Sequence, residues 1–430
     1  TTTTVAAQAR QEVLLAFHSG GGQNYTTYVV GTDYTGAVQE FAWVLPIPAA
    51  PTGEVIAHED DRLFRRLEEH TAPTFMIASD MIYFSCGCSA GAGAADEQTY
   101  AGVEVIREGT AGILDYAVLS AGTTSSLVDW LNGNGYTFDP DAADILDRYI
   151  GTGAYFLALQ VSDDGVDASA VQQSPAPTVG ESQHTVSPSS TTFVRTIPPV
   201  QFTCPTDERF YPMAISSVSA AEETEVVIYT LAARRQRAAG FTTVFIGEDE
   251  LVRDSTTYSN TNYEHLFRGA ITEDGPGTTI TEYVGPWPDW YRYGDPWPEA
   301  PFVGVETYRL TRMRTILTPD DMTFDYTFED APIDNDWWSD YYIAAAGRGP
   351  TGSVAGGRAG GSDSALAFAE RTATTAERAV TAAERAATTA ERTRHKNGNT
   401  DAILILSAWS VLPVGYAGFR VSRWKKRKRR

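Results

Sequence analysis

The chain has 430 residues, with 33 Lys and Arg against 55 Asp and Glu, and a formal charge of −22. Eight of those cations fall in the last eleven residues, Arg420 to Arg430, so the remainder carries 25 basic against 55 acidic residues, a field of about −30 that repels nucleic acid and anionic lipid and favours cationic or divalent partners. Three cysteines, Cys86, Cys88 and Cys204, exclude a disulfide scaffold, and the length leaves room for two or three domains.

The sequence begins Thr-Thr-Thr-Thr without Met, which suggests a signal peptide removed upstream. Gln11 to Phe17 (QEVLLAF) is apolar and β-prone, Gly20-Gly21-Gly22 turns the chain, and Tyr25 to Val30 (YTTYVV) returns as a hairpin partner. Asp33-Tyr34-Thr35-Gly36 reads as a second turn and Phe41 to Leu45 (FAWVL) as a third strand, ended by Pro46 and Pro48. Together these predict an antiparallel meander. Glu59 to Glu69 (EDDRLFRRLEE) opens with acids and sets Leu63, Phe64 and Leu67 on one face, the pattern of a short helix lying over a sheet.

Thr74 to Phe84 reads as strand, and Ser85 to Glu97 (SCGCSAGAGAADE) as a flexible loop. Val103 to Arg107 and Asp115 to Leu119 are two further strands. Ser125-Ser126 caps a helix through Leu127, Val128, Trp130 and Leu131, and a second helix, Pro140 to Ile150, carries Ala143, Ile145, Leu146 and Tyr149 inward. Tyr155 to Val161 (YFLALQV) is a buried strand. Residues 163–192 have the Ser, Pro and Asp content of a linker or excursion.

At this point a resemblance becomes visible. The run TDYTGAVQEFAWVLPIPAAP, then LFRRLEEHTAPT, the CGC pair, LVDWLNGNGY and DILDRYIGTGAYFLAL resemble the bacterial exported family called domain of unknown function 2330. The likeness continues through RFYPMAISSVSA, EVVIYTLA and YRLTRMRTILTPDDMTFDYTF, about residues 10–330. The resemblance implies an exported domain, often with a C-terminal membrane segment, and no assigned activity; it supplies no active-site residues.

In the second half Val194 to Phe202, Pro212 to Ser219, Glu225 to Leu231 and Phe241 to Ile246 read as strands. An aromatic, Pro-rich arm follows, Tyr283 to Trp297 (YVGPWPDWYRYGDPW), whose prolines at Pro286, Pro288 and Pro296 argue against ladder pairing. Tyr308 to Leu317 is a closing strand with Arg309, Arg312 and Arg314 interleaved, and Asp320 to Asp340 holds eight acids and no base. Trp337, Trp338, Tyr341 and Tyr342 end the ordered part.

Beyond a Gly-rich linker, Ala-Glu-Arg recurs at 369, 376, 383 and 390. The seven-residue period predicts an Ala-rich stalk helix from Ala365 to Arg392, on the order of 40 Å long. Ala402 to Phe419 (AILILSAWSVLPVGYAGF) contains no ionisable acid or base, and at about 1.5 Å per residue it reaches across a bilayer. The basic residues 420–430 behind it place the C-terminus in the cytoplasm, against anionic lipid, and everything before Asp401 outside.

Catalytic signals are weak. His58-Glu59-Asp60-Asp61-Arg62 has half of a zincin pattern and lacks the second histidine, and acids at a helix start explain it better. Gly91-Ala92-Gly93 lacks the strand and helix of a nucleotide-binding turn. For a cation, Asp334 and Asp336 with Asp340, or Asp163 and Asp164 with Asp167, offer hard oxygens that suit calcium; solvated surface charge is the blander account. Cys204 bridged to Cys86 or Cys88 is the expected disulfide, because a bond within Cys-Gly-Cys would be strained. Trp287, Trp290, Tyr291 and Trp297 with Trp337 and Trp338 are the residue types of interface hot spots.

The expected architecture is α+β: a mostly antiparallel β ectodomain with a few covering helices, an Ala-rich stalk and one C-terminal transmembrane helix. Its parts are an N-terminal subdomain 1–162, an excursion 163–192, a β-rich subdomain 193–343, a linker and stalk 344–401, a span 402–419 and a basic tail 420–430. The expected role is a non-catalytic scaffold or accessory subunit bound to other membrane-protein subunits, with no cofactor unless calcium and no nucleic acid. An envelope hydrolase with a scattered site, and a cation- or ligand-binding surface protein, are the alternatives.

Overall fold

The computed structural model describes residues 7–35, 42–58, 62–77, 102–136, 138, 143–162, 172–175, 193–254, 257, 259, 261–287 and 308–343. The stalk, the span, the basic tail, Cys86, Cys88, Trp290, Tyr291, Trp297 and the Asp163 group lie outside them. Among the described residues no helix is long and apolar enough to cross a membrane.

In chain order the first half comprises β1 (Ala7–Gly20), β2 (Gln23–Thr35), β3 (Ala42–Ile47), β4 (Thr52–Ala57), α1 (Arg62–Thr71), β5 (Thr74–Ile77), β6 (Val103–Ala111), β7 (Leu114–Ala121), α2 (Thr124–Gly133), α3 (Ala143–Ile150), β8 (Tyr155–Val161) and β9 (Gln172–Pro175). The second comprises β10 (Phe193–Pro205), β11 (Phe210–Tyr211), β12 (Ala220–Ala232), β13 (Gln236–Ala238), β14 (Thr243–Val244), α4 (Tyr263–Asp274), β15 (Thr279–Pro286), β16 (Arg309–Leu317), β17 (Tyr326–Asp330), β18 (Trp337–Trp338) and β19 (Asp340–Ile343).

The β1–β2 hairpin forms as its sequence predicts. Gly20 pairs with Gln23 across Gly21 and Gly22, whose φ of 61° and 84° need glycine in so tight a turn. The expected second turn is instead strand, since Asp33, Tyr34 and Thr35 continue β2 in register with β1. The predicted meander also stops at two strands: β3 leaves this sheet and pairs with β8 in another. Pro46 sits within β3, and an outer strand tolerates the missing N–H.

Ten strands form the main sheet, ordered β14-β15-β16-β12-β1-β2-β10-β4, with β18 on β15 and β9 on β10. It is mixed rather than antiparallel throughout, because β1 runs parallel to β12 and β14 parallel to β15. β1 and β2 are therefore held between β12 and β10, strands from the far side of residue 193. A four-stranded antiparallel sheet, β3-β8-β7-β6, packs face to face against it. Val13, Leu15, Tyr28 and Ile228 from one sheet meet Trp43, Leu45, Leu157 and Val118 from the other.

Helices cover both outer faces. Leu127, Trp130, Leu131, Leu146 and Tyr149 of α2 and α3 bury the back of the small sheet. Leu63, Phe64 and Leu67 of α1 lie on Leu14, Ala16 and Val29 of the large one, as their spacing predicts. Alongside, α4 packs Tyr263, Phe267 and Ala270 on Ile280 and Ile316. The result is four layers, helix–sheet–sheet–helix, the two-sided cover that the buried faces of a mixed sheet demand. Two elements differ from expectation: Pro212 to Ser219 contains a 3-10 helix, Ala214–Val218, rather than a strand, and Phe241 to Ile246 contributes only the two residues of β14.

Candidate functional site at the aromatic end of the main sheet

Residues of β15 and β16 set the floor of the site. The predicted arm does not leave the sheet at Tyr283, because Tyr283 to Pro286 pair with Arg312 to Arg309. Pro286 ends the ladder, where its missing N–H is harmless. Trp287 and Tyr308, the described residues on either side of 288–307, thus follow and precede two adjacent strand ends at one end of the sheet. β18 brings the second aromatic stretch there, pairing Trp338 with Tyr283 and Trp337 with Val284.

These two stretches, fifty residues apart in sequence, meet in space. Trp337 is buried and meets Phe245 edge-on at 4.8 Å between centroids, its indole N–H donating to Ser339 Oγ at 3.2 Å. Trp338 lies on the opposite face, 51 % exposed, its ring tilted at 5.4 Å on Tyr283. Trp287 and Tyr308 pack half-buried against the α1 cluster. Tyr283 folds over Gly285, where a Cβ would come within 2.5 Å of its hydroxyl, and that hydroxyl donates to the Pro286 carbonyl at 3.0 Å. Trp338 thus stands on a ring whose position is locked.

Beneath it runs a buried ion network. Glu282 is the extra residue of a bulge between Thr281 and Tyr283, so it and Tyr283 both turn toward the helices. Glu282 is fully buried; its carboxylate lies 2.8 Å from Arg312 Nε and 3.1 Å from Arg314 Nε, and it accepts from Tyr263 Oη at 2.8 Å. Both Nε contacts are ion pairs without an aligned N–H bond. Arg312 reaches Glu68 of α1 at 2.9 Å, and Arg314 reaches Glu225 and Glu264 at 3.0 Å each. Arg10 joins Glu12 and Glu68 at 3.0 and 2.9 Å. Arg314 also stacks over Phe267, 3.9 Å from its centroid.

Electrostatics divide the carboxyls by environment. Burial opposes ionisation of Glu68, and Arg312 and Arg10 outweigh it, holding the group at about 2. Glu225 is likewise lowered: Arg10 and Arg314 overcome burial. Glu12 goes the other way: burial, with Glu68 and Asp33 nearby, outweighs Arg10 and pushes it up to about 8. Burial thus favours the protonated form of Glu12, in a network where carboxyls outnumber guanidinium groups. Chemically this is a layer of ion pairs that ties α1, α4, β1, β12, β15 and β16 together.

The acids considered for calcium are engaged with the protein. Asp334 faces Arg309 Nε at 3.0 Å and Arg234 Nε at 3.6 Å and accepts the Arg235 backbone N–H at 2.9 Å. Asp336 pairs with Arg309, and Asp340 accepts from Thr74. Among the described residues no group of three or more His, Cys, Asp or Glu is placed to hold a metal ion. Cys204 is buried in the core between the sheets, and burial pushes its thiol up to about 12; both of its expected partners lie outside the described residues. His58 approaches Gln201 at 3.2 Å, while Glu59, Asp60 and Asp61 are not described.

Sequence reasoning missed Glu282 and α4. Their signals were present: a lone acid within the apolar run TITEYVG, and Tyr263, Phe267 and Ala270 at spacings of four and three. A search of the curated proteins finds none that matches the chain. Residues 4–188, the stretch from β1 to β9, match the model of the family described as uncharacterized protein conserved in bacteria (DUF2330), which supports the resemblance over that part of its length.

Proposed function

We propose that the protein is a non-catalytic interaction module, an accessory subunit held at a membrane by residues 402–419 and presenting the aromatic end of its main sheet to another membrane-protein subunit. The observation that carries this reading is the convergence of Trp287, Tyr283 and Trp338 on one sheet end, with Trp338 about half exposed on a fixed ring. Rigid, preorganised Trp and Tyr bury much area at little entropic cost, which is why they dominate hot spots. Asp336, more than half exposed beside them, suits a rim that meets a cationic partner. The stalk 365–392 sets the height of the body above the bilayer, and residues 420–430 hold anionic lipid on the far side.

Purification of the full chain from membranes in mild detergent tests this. The expected result is a stoichiometric second subunit, lost on Trp338→Ala while the melting temperature stays unchanged. A chain that purifies alone, or a partner retained equally by Trp338→Ala, overturns the reading.

A further inference from the structure

On the other face of β14, β15, β16 and β12 lies a patch of threonines. Val244 and Ile280 point toward α4, so their neighbours Thr243, Thr279 and Thr281 face the space between the sheets. Thr243 pairs with Thr279 across β14 and β15, and continuing the β15–β16 register by one residue sets Thr279 beside Thr315. One strand further, Thr230 pairs with Thr311. These six surround Met313, and each is no more than 1 % exposed. The strands β13 and β17 cover the patch: Gln236 N–H donates to Thr311 Oγ1 at 3.4 Å, and Tyr326 reaches over Thr315 to donate to the Gly277 carbonyl at 3.2 Å.

Thr230, Thr243, Thr279 and Thr281 have fully buried hydroxyls with no hydrogen-bond partner among the described residues. A buried strand position is filled as well by valine, which has the same shape and no group to satisfy. Four unmade hydrogen bonds, on β14, β15 and, beyond β16, β12, would weigh heavily on a marginally stable fold. We infer that this patch is a built site for a file of ordered internal water, each molecule joining two or more of these hydroxyls. Hydroxyl groups on neighbouring strands, about 5 Å apart at Cβ, can meet directly, as Thr27 and Thr203 do at 2.8 Å across β2 and β10, so buried hydroxyls that make no such contact are left for a bridging molecule. The ligand is neutral, since no charged side chain belongs to the patch.

Isosteric replacement separates a watered patch from a dry one. Thr230→Val, Thr279→Val and Thr281→Val, singly and together in the full chain, are expected to leave the melting temperature unchanged or lower it, because each removes a satisfied hydroxyl and strands a water. A rise of about 2 °C or more per site would show the hydroxyls dry and overturn the inference. High-resolution crystallography gives the second readout: density within hydrogen-bonding distance of at least two of these hydroxyls supports the site. A dry patch, or hydroxyls turned onto backbone carbonyls, sinks it.

Discussion

At the scale of single residues, two carboxyls on one arginine behave oppositely. Glu12 has a folded value of about 8 against an ordinary 4.5, so the stability it contributes is complete below about 4.5 and is lost as pH rises through about 8. Glu68, lowered to about 2, contributes stability above about 4.5 that is lost as pH falls toward 2. Glu12's share of the thermal midpoint should therefore decline from about pH 5 to about pH 8, against the rise that His18 and His70, lowered by burial, contribute there; Glu12→Gln should remove that decline while Glu68→Gln destabilises throughout. A profile unchanged by Glu12→Gln would show that the proton sits elsewhere. Glu282→Ala leaves Arg312 and Arg314 buried without their shared partner and should cost about 3–5 kcal/mol in chemical denaturation. Little of this was legible beforehand. The interleaved arginines of β16 were visible, but the acids that meet Arg312 and Arg314 come from four other elements, α1, α4, β12 and β15, and the bulge that turns Glu282 inward leaves no periodic trace.

Elements were legible where the signal is local. β8, a continuous apolar run buried on both faces, matches its predicted limits, and α1 buries the three residues its spacing nominated, because an apolar run and a helical period are local properties. Pairing is not local: FAWVL reads as a strand correctly, while its departure to the second sheet depends on β8, more than a hundred residues later. The turn before β15 shows how tightly such junctions are set. Gly277 has φ of 85°, and a Cβ there would lie 2.3 Å from the Phe241 ring and 3.0 Å from Phe324. Gly277→Ala should therefore cost more than the about 1 kcal/mol of an ordinary αL substitution, read as a lowered unfolding midpoint. An unchanged midpoint would mean that the two rings swing aside freely.

For the whole molecule, topology ties the two halves of the described chain together. β1 is hydrogen-bonded to β12 along eight residue pairs and β2 to β10 along ten, so a fragment of residues 1–162 lacks both neighbours of its first hairpin. Such a fragment should stay unfolded, or compact without sharp tertiary signals, by near-ultraviolet circular dichroism; a cooperative transition would show an autonomous N-terminal unit. The same topology makes one sheet end the meeting place of sequence-distant aromatics, which a linear reading nominated as separate arms but had no means of joining. A photo-cross-linking residue at position 338 of the full chain, in native membranes, tests the proposed docking end most directly. The account predicts one discrete adduct with a second membrane-protein subunit, absent when the probe is moved to Ile56, an equally exposed site on the β4 edge. The same adducts from both positions, or none from 338, would contradict it.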